Sequence, residues 1–331
     1  MNKPLLSICI PTYNRAEYLE KSLDSLIVQP EFSQIEVVIS DNASTDDTEE
    51  VCKRYQEKYK NIFYYRNKEN IHDKNFPLAL MRGNGTYRKL FNDTAIYEPF
   101  FLSYILEIIQ SYIDSRTFLF FLNGAKLSHK IPPVYECDDF STFCSLAGRW
   151  LTWIGGFGLW EDDCAGLENE YSICDLKLWQ TYKTLKMFSE HGKAVLVSKY
   201  ILTIQCMTNK NLSYGVYTVF YKNFPSLLEP YLESGQLSDN AFKKIRKEML
   251  YFQAGHYFFR IPMVHKYYDK DEFANLKKLI LSDYKHEPYY LSFLTKNFFC
   301  EPWLRFIYLL KQTFMGRMLV KLKRKLKIRF N

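Results

Sequence analysis

Three short polar stretches of this chain contain residue types and spacings that suit chemistry. They are PTYNR at residues 11–15, SDNASTDD at 40–47 and NDT at 92–94. Carboxylate, amide and hydroxyl oxygens of this kind are the ligands that a hard divalent cation prefers. Isolated carboxylates further along the chain could instead take a proton from a reacting hydroxyl, as a general base does. Cation binding and proton abstraction are therefore the two chemistries that the sequence suggests.

Each polar stretch follows a predicted strand, and helical patterns separate the strands. Leu19, Leu23 and Leu26 recur at helical spacing after the first strand, and residues 44–59 open with the capping and acidic residues of a helix N-terminus. The predicted strands are LLSICI (5–10), IEVVIS (35–40), NIFYYR (61–66) and TYRKLF (86–91). This alternation predicts an α/β fold with a mostly parallel, doubly wound sheet. Since ligands bind beyond the carboxyl ends of such strands, the three polar stretches should meet in one crevice.

The later part of the chain is less regular. A helix (FFLSYILEIIQSYI, 100–113) and a strand (TFLFFL, 117–122) are predicted first, and residues 130–170 are interpreted as long functional loops around a short helix at 141–151. From about residue 210 the pattern is mainly helical and rich in Tyr and Phe. We expect two domains, 1–208 and 209–331.

Composition restricts the class of protein. With 47% hydrophobic and 17% aromatic residues, the 331-residue chain can bury a core, which excludes a disordered protein. The eight cysteines include no C-x-x-C pair, a usage that favours a reducing cytosol. The apolar run near the N-terminus is too short for a secretion signal, and no run reaches the roughly 18 apolar residues expected of a membrane span.

Four motifs together give the chain a family resemblance. SICIPTYNR, VVISDNASTDDT, NIHDKNFPLALMRGNGTY and LFNDTAI, in this order and at successive strand ends, resemble the inverting GT-A fold glycosyltransferases of family 2. The resemblance covers about residues 4–125 well and 150–205 loosely. It implies a Rossmann-like, mostly parallel sheet flanked by helices, here followed by a helical C-terminal extension. It also implies transfer of a sugar from a nucleotide-diphosphate donor, for which UDP is the expected nucleotide.

The resemblance also implies a set of residues that bind the donor. Pro11, Thr12 and Tyr13 would line the base pocket, and Asp41 would accept a hydrogen bond from the ring N–H of the base. The alternatives are that Tyr13 is only a rim or core aromatic and that Asp41 only closes an Asx turn. The remaining donor-binding candidates are Arg15, Asn42, Asn75, Arg82, Asn92 and Asp93. Arg82 could pair with diphosphate through its planar fork or could be a solvated charge near a helix end.

Asp93 is the candidate metal ligand. Where the family often has G-D-D-D, this chain has Asn92, Asp93, Thr94 and Ala95. One carboxylate can still suffice, because Mg²⁺ commonly takes one or two protein carboxylates together with substrate phosphates. We therefore expect Mg²⁺ or Mn²⁺ at Asp93. The alternative is that Asp93 only caps a helix beginning near Tyr97.

The resemblance further implies a base and an acceptor loop after the fourth strand. Asp175, Asp162 and Asp163 are the candidate bases, and each could also be an ordinary helix-end or surface acid. The loop WIGGFGLW offers Trp153, Gly155, Gly156 and Trp160 as a platform for a sugar acceptor, because aromatic faces pack on sugars and glycines permit close approach. The alternative is that the tryptophans belong to the core.

The segment after Glu301 contains nine basic and no acidic residues, with Phe314, Met318 and Leu322 near helical spacing. Such a helix is predicted to lie on the inner surface of the cytoplasmic membrane, or alternatively to pack on the protein or an oligomer partner. Nucleic-acid binding is disfavoured because the aromatic residues are not interleaved with the basic ones. The sequence thus predicts a cytoplasmic glycosyltransferase, peripheral to the membrane, that extends a glycan or lipid-linked glycan in bacterial capsule or lipooligosaccharide synthesis.

Two other functions are less well supported. The single carboxylate of NDT is compatible with a non-catalytic, sugar-nucleotide-binding scaffold subunit of an assembly complex. Nucleotidyl transfer is disfavoured, because the N-terminal region has no glycine-rich, lysine-bearing phosphate loop.

Overall fold

The structure of the protein, a computed structural model, describes residues 3–124, 131–205, 215, 217–251 and 278–295. The strands are β1 (Leu6–Thr12), β2 (Glu36–Asp41), β3 (Ile62–Arg66), β4 (Tyr87–Leu90), β5 (Ala95–Tyr97), β6 (Phe118–Phe121), β7 (Val134–Cys137), β8 (Gly158–Trp160), β9 (Ala194–Val197) and β10 (Leu202–Ile204). The helices are α1 (Ala16–Ile27), α2 (Thr48–Lys58), α3 (Asn75–Arg82), α4 (Phe101–Ser111), α5 (Phe140–Ala147), α6 (Trp179–His191), α7 (Phe224–Glu233) and α8 (Asp239–Met249).

The central sheet has five strands in the order β3-β2-β1-β4-β8. The first four are parallel, and β8 pairs antiparallel with β4. In the register between β1 and β2, Thr12 is paired with Asp41, so these two residues lie side by side at the carboxyl edge. The four strands predicted from apolar runs are confirmed, and so is their arrangement in a mostly parallel sheet.

Helices cover both faces of the sheet. Leu6, Ile8 and Ile10 of β1 pack in one core cluster with residues of α1, α2 and α4, such as Leu19 and Leu23. On the other face α3 contacts β1 and β2. The sheet is therefore doubly wound, as the alternation of strands and helices predicted.

The helix predicted over residues 100–113 is confirmed as α4, which begins at Phe101. The alternative of a helix beginning near Tyr97 is wrong, because Ala95–Tyr97 forms β5, which pairs with β10. Near Asp175, interpreted above as a possible helix-end acid, the helix α6 begins only at Trp179, because the preceding Leu167–Leu176 is a run of 3₁₀ turns ended by Lys177 with a positive φ of 61°. At β5 the pairing with a distant strand overrides the local pattern, whereas the turns of Leu167–Leu176 are closed within the segment itself.

The chain divides into two compact units, and the boundary differs from the predicted one. Met1–Thr208 and Lys222–Ile245 form the first unit, and Asn209–Tyr221 and Arg246–Asn331 form the second. α7 thus belongs to the first unit, although residues 209–331 were expected to be separate. The second unit has its own small core around Tyr221, Leu250 and Ile280.

The C-terminal region is helical where it is described, as predicted. The basic segment after Glu301 lies outside the described residues. Among the described residues, no helix has the length and apolar character needed to cross a membrane.

Candidate functional site

The strand ends of β1 and β4 bring Thr12 and Asp93 together. The backbone N–H of Phe91 donates to the carbonyl of Cys9 (3.0 Å), which keeps the chain after β4 beside β1. Two residues further on, the Thr12 hydroxyl donates to Oδ2 of Asp93 (3.0 Å). Burial raises the pKa of Asp93 to about 6, while the nearby charge of Arg15 and the Thr12 hydrogen bond act in the opposite direction. Asp93 is therefore a carboxylate whose negative charge is incompletely compensated.

Asn92 adds a second oxygen at the same strand end. Its side-chain oxygen, Oδ1, is buried and has no hydrogen-bond partner. Unpartnered buried acceptors are rare and call for a ligand, water or ion. The described residues contain no group of three or more His, Cys, Asp or Glu side chains that could hold a metal by themselves. A cation here would thus take Asp93, with Asn92 beside it, and complete its shell with ligand oxygens and water, as Mg²⁺ does.

The alternative that Asp93 caps a helix is wrong. The residues that follow form β5, and α4 begins eight positions later with Phe100 at its N-cap. No helix terminus therefore accounts for a carboxylate at this position.

Asp41 lies fully buried at the neighbouring strand end. Its Oδ1 accepts hydrogen bonds from the backbone N–H (2.9 Å) and hydroxyl (2.5 Å) of Ser44, which closes a turn. Its Oδ2 accepts from the hydroxyl of Tyr64 (2.8 Å) on β3. Burial and this hydrogen bond raise the pKa of Tyr64. Asp41 thus has a turn-forming role. Its Oδ1 already accepts two hydrogen bonds, so capacity to accept from a ligand remains only on Oδ2, which also lies 3.6 Å from Nε of Arg66.

The loop after β1 is tied to the loop after β2. Asn14, at a positive φ of 52°, accepts a hydrogen bond from the backbone N–H of Thr45 (2.7 Å) through Oδ1, and its own N–H donates to the Ser44 hydroxyl (2.9 Å). Asn tolerates this left-handed conformation better than most residues. Pro11 is buried before this loop, and the Tyr13 side chain is 41% exposed. Tyr13 is therefore free to pack on a ligand ring, whereas the backbone around it is fixed.

Asn42, Asn75 and Arg82 are held in a polar network within the fold. The Asn42 amide donates to Asn70 Oδ1 (2.8 Å) and to the carbonyl of His72 (3.1 Å), and the Asn75 amide donates to the carbonyl of Ser40 (2.7 Å). These contacts fix the loop after β3 against the end of β2.

Arg82 completes this network rather than pointing at a free surface. Its guanidinium donates to the Ser40 hydroxyl (2.5 Å) and to Oδ1 of Asn67 (2.8 Å) and lies over the ring of Tyr65, 5.2 Å from its centroid. The expectation that Arg82 pairs with diphosphate is not supported by these contacts. Arg15, whose charge acts on Asp93, is the better-placed cation.

Trp160 does not form part of a sugar platform, contrary to the prediction from the sequence. Trp160 is buried in β8, donates from Nε1 to the carbonyl of Thr117 (2.9 Å), and packs edge-on against Tyr87, 4.9 Å between ring centroids. It is a core residue and presents no face to a ligand. Gly155 and Gly156 are buried as well.

The two glycines are explained by packing of the protein on itself. A Cβ at Gly155 would lie 2.4 Å from the indole of Trp153, and one at Gly156 would lie 2.9 Å from Phe120 and from the carbonyl of Phe121. Trp153 is partly buried and packs edge-on against Trp150, 5.9 Å between centroids. Of the predicted platform, Trp153 alone retains an accessible surface.

The three candidate bases fall into two groups. Because β8 runs antiparallel to β4, with Trp160 paired to Tyr87, the residues after it lie at the amino edge of the sheet. Asp162 is exposed there, and Asp163 is 3.3 Å from the ring of His191. The structure does not bring either acid together with Asp93, which argues against both as the base.

Asp175 lies on the crevice side. It is exposed, two residues before Lys177, whose Nζ is 3.8 Å from Asp73 in the loop after β3. Asp73 is a partly buried carboxylate that the sequence analysis did not single out. Burial raises its pKa, while the charge of Lys177 opposes the rise.

Lys89 is a second residue that the sequence analysis did not single out. It is fully buried in β4. The signal that could have found it is a lysine within the apolar pattern of a predicted strand.

Comparison with solved structures identifies the fold. TarS of S. aureus superimposes with a TM-score of 0.52 at 18% sequence identity, over 76% of this chain and 45% of TarS. A shorter TarS form, residues 1–349, gives a TM-score of 0.51 at 15% identity over 93% of this chain and 92% of that one. The predicted α/β fold of the GT-A type is confirmed.

Sequence comparison matches the N-terminal part of the chain to a family model. Residues 7–111, which span β1 to α4 and include Thr12, Asp41 and Asp93, match the family model for Glycosyl transferase family 2. The match covers about a third of the chain, in the region where the four motifs predicted a resemblance to this family.

Two relatives match parts of the chain. The abequosyltransferase RfbV of Salmonella typhimurium is 39% identical over 146 residues, which are 43% of this chain and 38% of that protein. The chondroitin synthase of Escherichia coli is 30% identical over 148 residues, 39% of this chain and 21% of that protein. The chain thus matches well under half the length of each of these relatives.

Proposed function

We propose that the protein is an inverting glycosyltransferase that moves a sugar from a nucleotide-diphosphate donor to a glycan or lipid-linked glycan of the bacterial surface. The observation that carries this proposal is the convergence of Thr12, Asp41 and Asp93 at adjacent carboxyl strand ends. Two relatives named as an abequosyltransferase and a chondroitin synthase support sugar transfer onto a glycan.

The donor base would bind over the ends of β1 and β2. Asp41 is buried and can accept the ring N–H of the base, while the exposed ring of Tyr13 packs beside it. The cross-tied loops after these strands keep the pocket in place before the donor arrives, which lowers the entropic cost of binding. UDP is the expected nucleotide, and structures of TarS with UDP and UDP-GlcNAc support that choice.

The diphosphate would bind at the end of β4. A divalent cation held by Asp93 would neutralise charge on the departing diphosphate. Arg15, whose charge acts on Asp93, would add a second positive group. Thr12 orients the carboxylate through its hydroxyl, and Asn92 offers an oxygen without a partner.

Asp175 is the base that we propose among the three candidates, because it alone lies on the crevice side. It would take the proton of the acceptor hydroxyl as that oxygen forms a bond to the anomeric carbon. The bond between the anomeric carbon and the diphosphate oxygen breaks at the same time, from the opposite face. Inversion follows from this single displacement.

The alternative, a scaffold subunit that binds a sugar nucleotide without turnover, is not favoured by the relatives, which are named as a transferase and a synthase. Association with the membrane through the basic segment after Glu301 stays a prediction, as do capsule or lipooligosaccharide synthesis, a cytoplasmic location and oligomer formation.

Calorimetric titration of UDP and GDP, with Mn²⁺ and with EDTA, tests the donor site. We expect one nucleotide to bind in a metal-dependent manner, and Asp93→Ala to remove the metal dependence. Asp162→Ala, an exposed acid at the opposite edge, is the matched control and should bind as wild type. Binding that ignores both metal and Asp93→Ala would contradict the metal site.

Hydrolysis of the matching nucleotide sugar, measured in parallel, separates the enzyme from the scaffold. Slow release of free sugar by wild type, but not by Asp93→Ala, supports the transferase. Tight nucleotide binding without any hydrolysis or transfer to a broad set of acceptors favours the scaffold.

A further inference from the structure

A fully buried lysine lies beneath the segment that precedes β8. The Nζ of Lys89 donates to the carbonyl of Gly155 (2.7 Å) and lies 3.4 Å from the carbonyl of Phe157. The same nitrogen lies 4.1 Å from the ring centroid of Phe121 and 4.8 Å from that of Phe91. Burial lowers the pKa of Lys89 well below its usual range.

This environment is costly for a lysine unless its donors are used. Taking an amine or ammonium group out of water is unfavourable, and an apolar side chain in the same space would avoid that cost. What an apolar side chain could not do is bind the two backbone carbonyls. The hydrogen bonds of Lys89 therefore hold the segment Trp153–Phe157 against β4.

The order of the strands places this segment within the crevice. The base pocket lies over β2 and β1, and Asp93 follows β4. Next in the sheet is β8, whose first residue Gly158 pairs with Lys89, so the segment before it lies at the carboxyl edge. The backbone N–H of Leu90 also donates to the carbonyl of Phe157 (3.2 Å), so three hydrogen bonds join the segment to β4. In a nucleotide-diphosphate sugar the diphosphate separates the nucleotide base from the sugar. The donor sugar must therefore lie beyond Asp93, on the side of the segment before β8.

We propose that Lys89 is a positioning residue that holds the segment Trp153–Phe157 as the wall of the sugar side of the donor site. This inference rests on the proposed function. Gly155 and Gly156 fit the same account, because both must lack a Cβ for the segment to lie flat on Trp153 and Phe120. The wall fixes the space for the sugar while the nucleotide is bound elsewhere.

Hydrogen exchange of the full chain tests whether Lys89 fixes the segment. In Lys89→Met, which keeps the length of the side chain and removes its donors, amide exchange in residues 153–158 should accelerate at least about tenfold. Exchange in β1 and β2 should not change. Lys183→Met is the matched control, since Lys183 is also buried but pairs with Glu170 (3.1 Å) on another part of the fold. Equal acceleration everywhere, or none in 153–158, overturns the proposal.

Nucleotide affinity tests whether the segment serves the sugar. We would measure Kd for UDP and for UDP-glucose, UDP-galactose and UDP-GlcNAc with wild type and Lys89→Met. The expected result is an unchanged Kd for UDP, within about threefold, and loss of the additional affinity that the preferred sugar gives wild type. A general loss of structure would instead weaken UDP and UDP-sugars together. That result, or an unchanged preference for the sugar, overturns the proposal.

The two measurements also separate this proposal from the proposed function. If wild type binds no nucleotide, the glycosyltransferase assignment fails. Hydrogen exchange then still decides whether Lys89 holds the segment, and a negative result there removes Lys89 as a positioning residue.

Discussion

Asp93 makes cation binding depend on pH. Its pKa is raised to about 6 mainly by burial, so the carboxyl is protonated below that pH and cannot ligate a cation. Metal-dependent nucleotide binding should therefore weaken by about tenfold per pH unit below pH 6 and be level above it. Titrations of nucleotide with Mn²⁺ between pH 4.5 and 8 measure this. Asp93→Asn should bind weakly at every pH, and a wild-type profile that is flat down to pH 4.5 would contradict the role of Asp93.

The same residue should lower the stability of the metal-free protein. A folded pKa above the unfolded value of about 3.9 means that the folded state holds the proton more tightly, so ionisation costs stability as pH rises from about 4 to 6. Asp93→Asn keeps the oxygen that Thr12 contacts and removes that cost. We expect a gain of about 1 kcal/mol in the free energy of unfolding at pH 8, and none at pH 4.

Urea denaturation in EDTA at the two pH values measures that gain. Asp162→Asn, an exposed acid, should change the free energy of unfolding by less than about 0.5 kcal/mol at either pH. If Asp93→Asn destabilises the protein at both pH values, the buried charge is compensated by contacts that the raised pKa does not reflect.

At the level of elements, Gly156 shows how tightly the segment before β8 packs. A Cβ there would approach Phe120 and the carbonyl of Phe121 to 2.9 Å, and the backbone atom cannot yield as a flexible side chain could. Gly156→Ala should lower the free energy of unfolding by about 1–3 kcal/mol. Gly215→Ala, where the nearest atom is 3.4 Å away, is the control, and urea denaturation compares the two. Equal effects of both substitutions would show that the segment can move aside.

The sequence predicted the elements whose causes are local. β1, β2 and the polar stretches after them were predictable, because apolar runs and the turn residues that end them are neighbours in the chain. β5 was not, since Ala95–Tyr97 is a strand only because it pairs with Leu202–Ile204, about a hundred residues away. The apolar residues around it favour a helix when they are considered alone.

The same limit applies to the site. Thr12, Asp41 and Asp93 could be placed together from topology, because all three follow parallel strands. Asp162 and Asp163 could not be placed correctly, since no local pattern shows that β8 reverses direction. Lys89 and Asp73 were missed because their importance comes from burial and from partners that are distant in sequence.

For the whole molecule, the uneven distribution of charge predicts binding to an anionic membrane surface. The net charge is +7, and nine of the 44 basic residues follow Glu301, with no acid among them. At roughly 1 kcal/mol for each basic residue near an anionic surface, changing Lys321, Lys323 and Lys325 to Glu should weaken binding to phosphatidylserine vesicles by about a hundredfold. Sedimentation with vesicles at 50 and 500 mM NaCl measures it, and the higher salt should weaken wild type as screening predicts.

The matched control changes three exposed lysines of the first unit, Lys53, Lys58 and Lys60, to Glu. This variant has the same net charge as the tail variant, so a general electrostatic attraction would weaken both equally. Stronger loss in the tail variant places the membrane contact after Glu301, where it would bring a lipid-linked acceptor to the same surface. Binding that neither variant changes would leave the basic segment without a role at the membrane and favour packing on the protein or on a second copy.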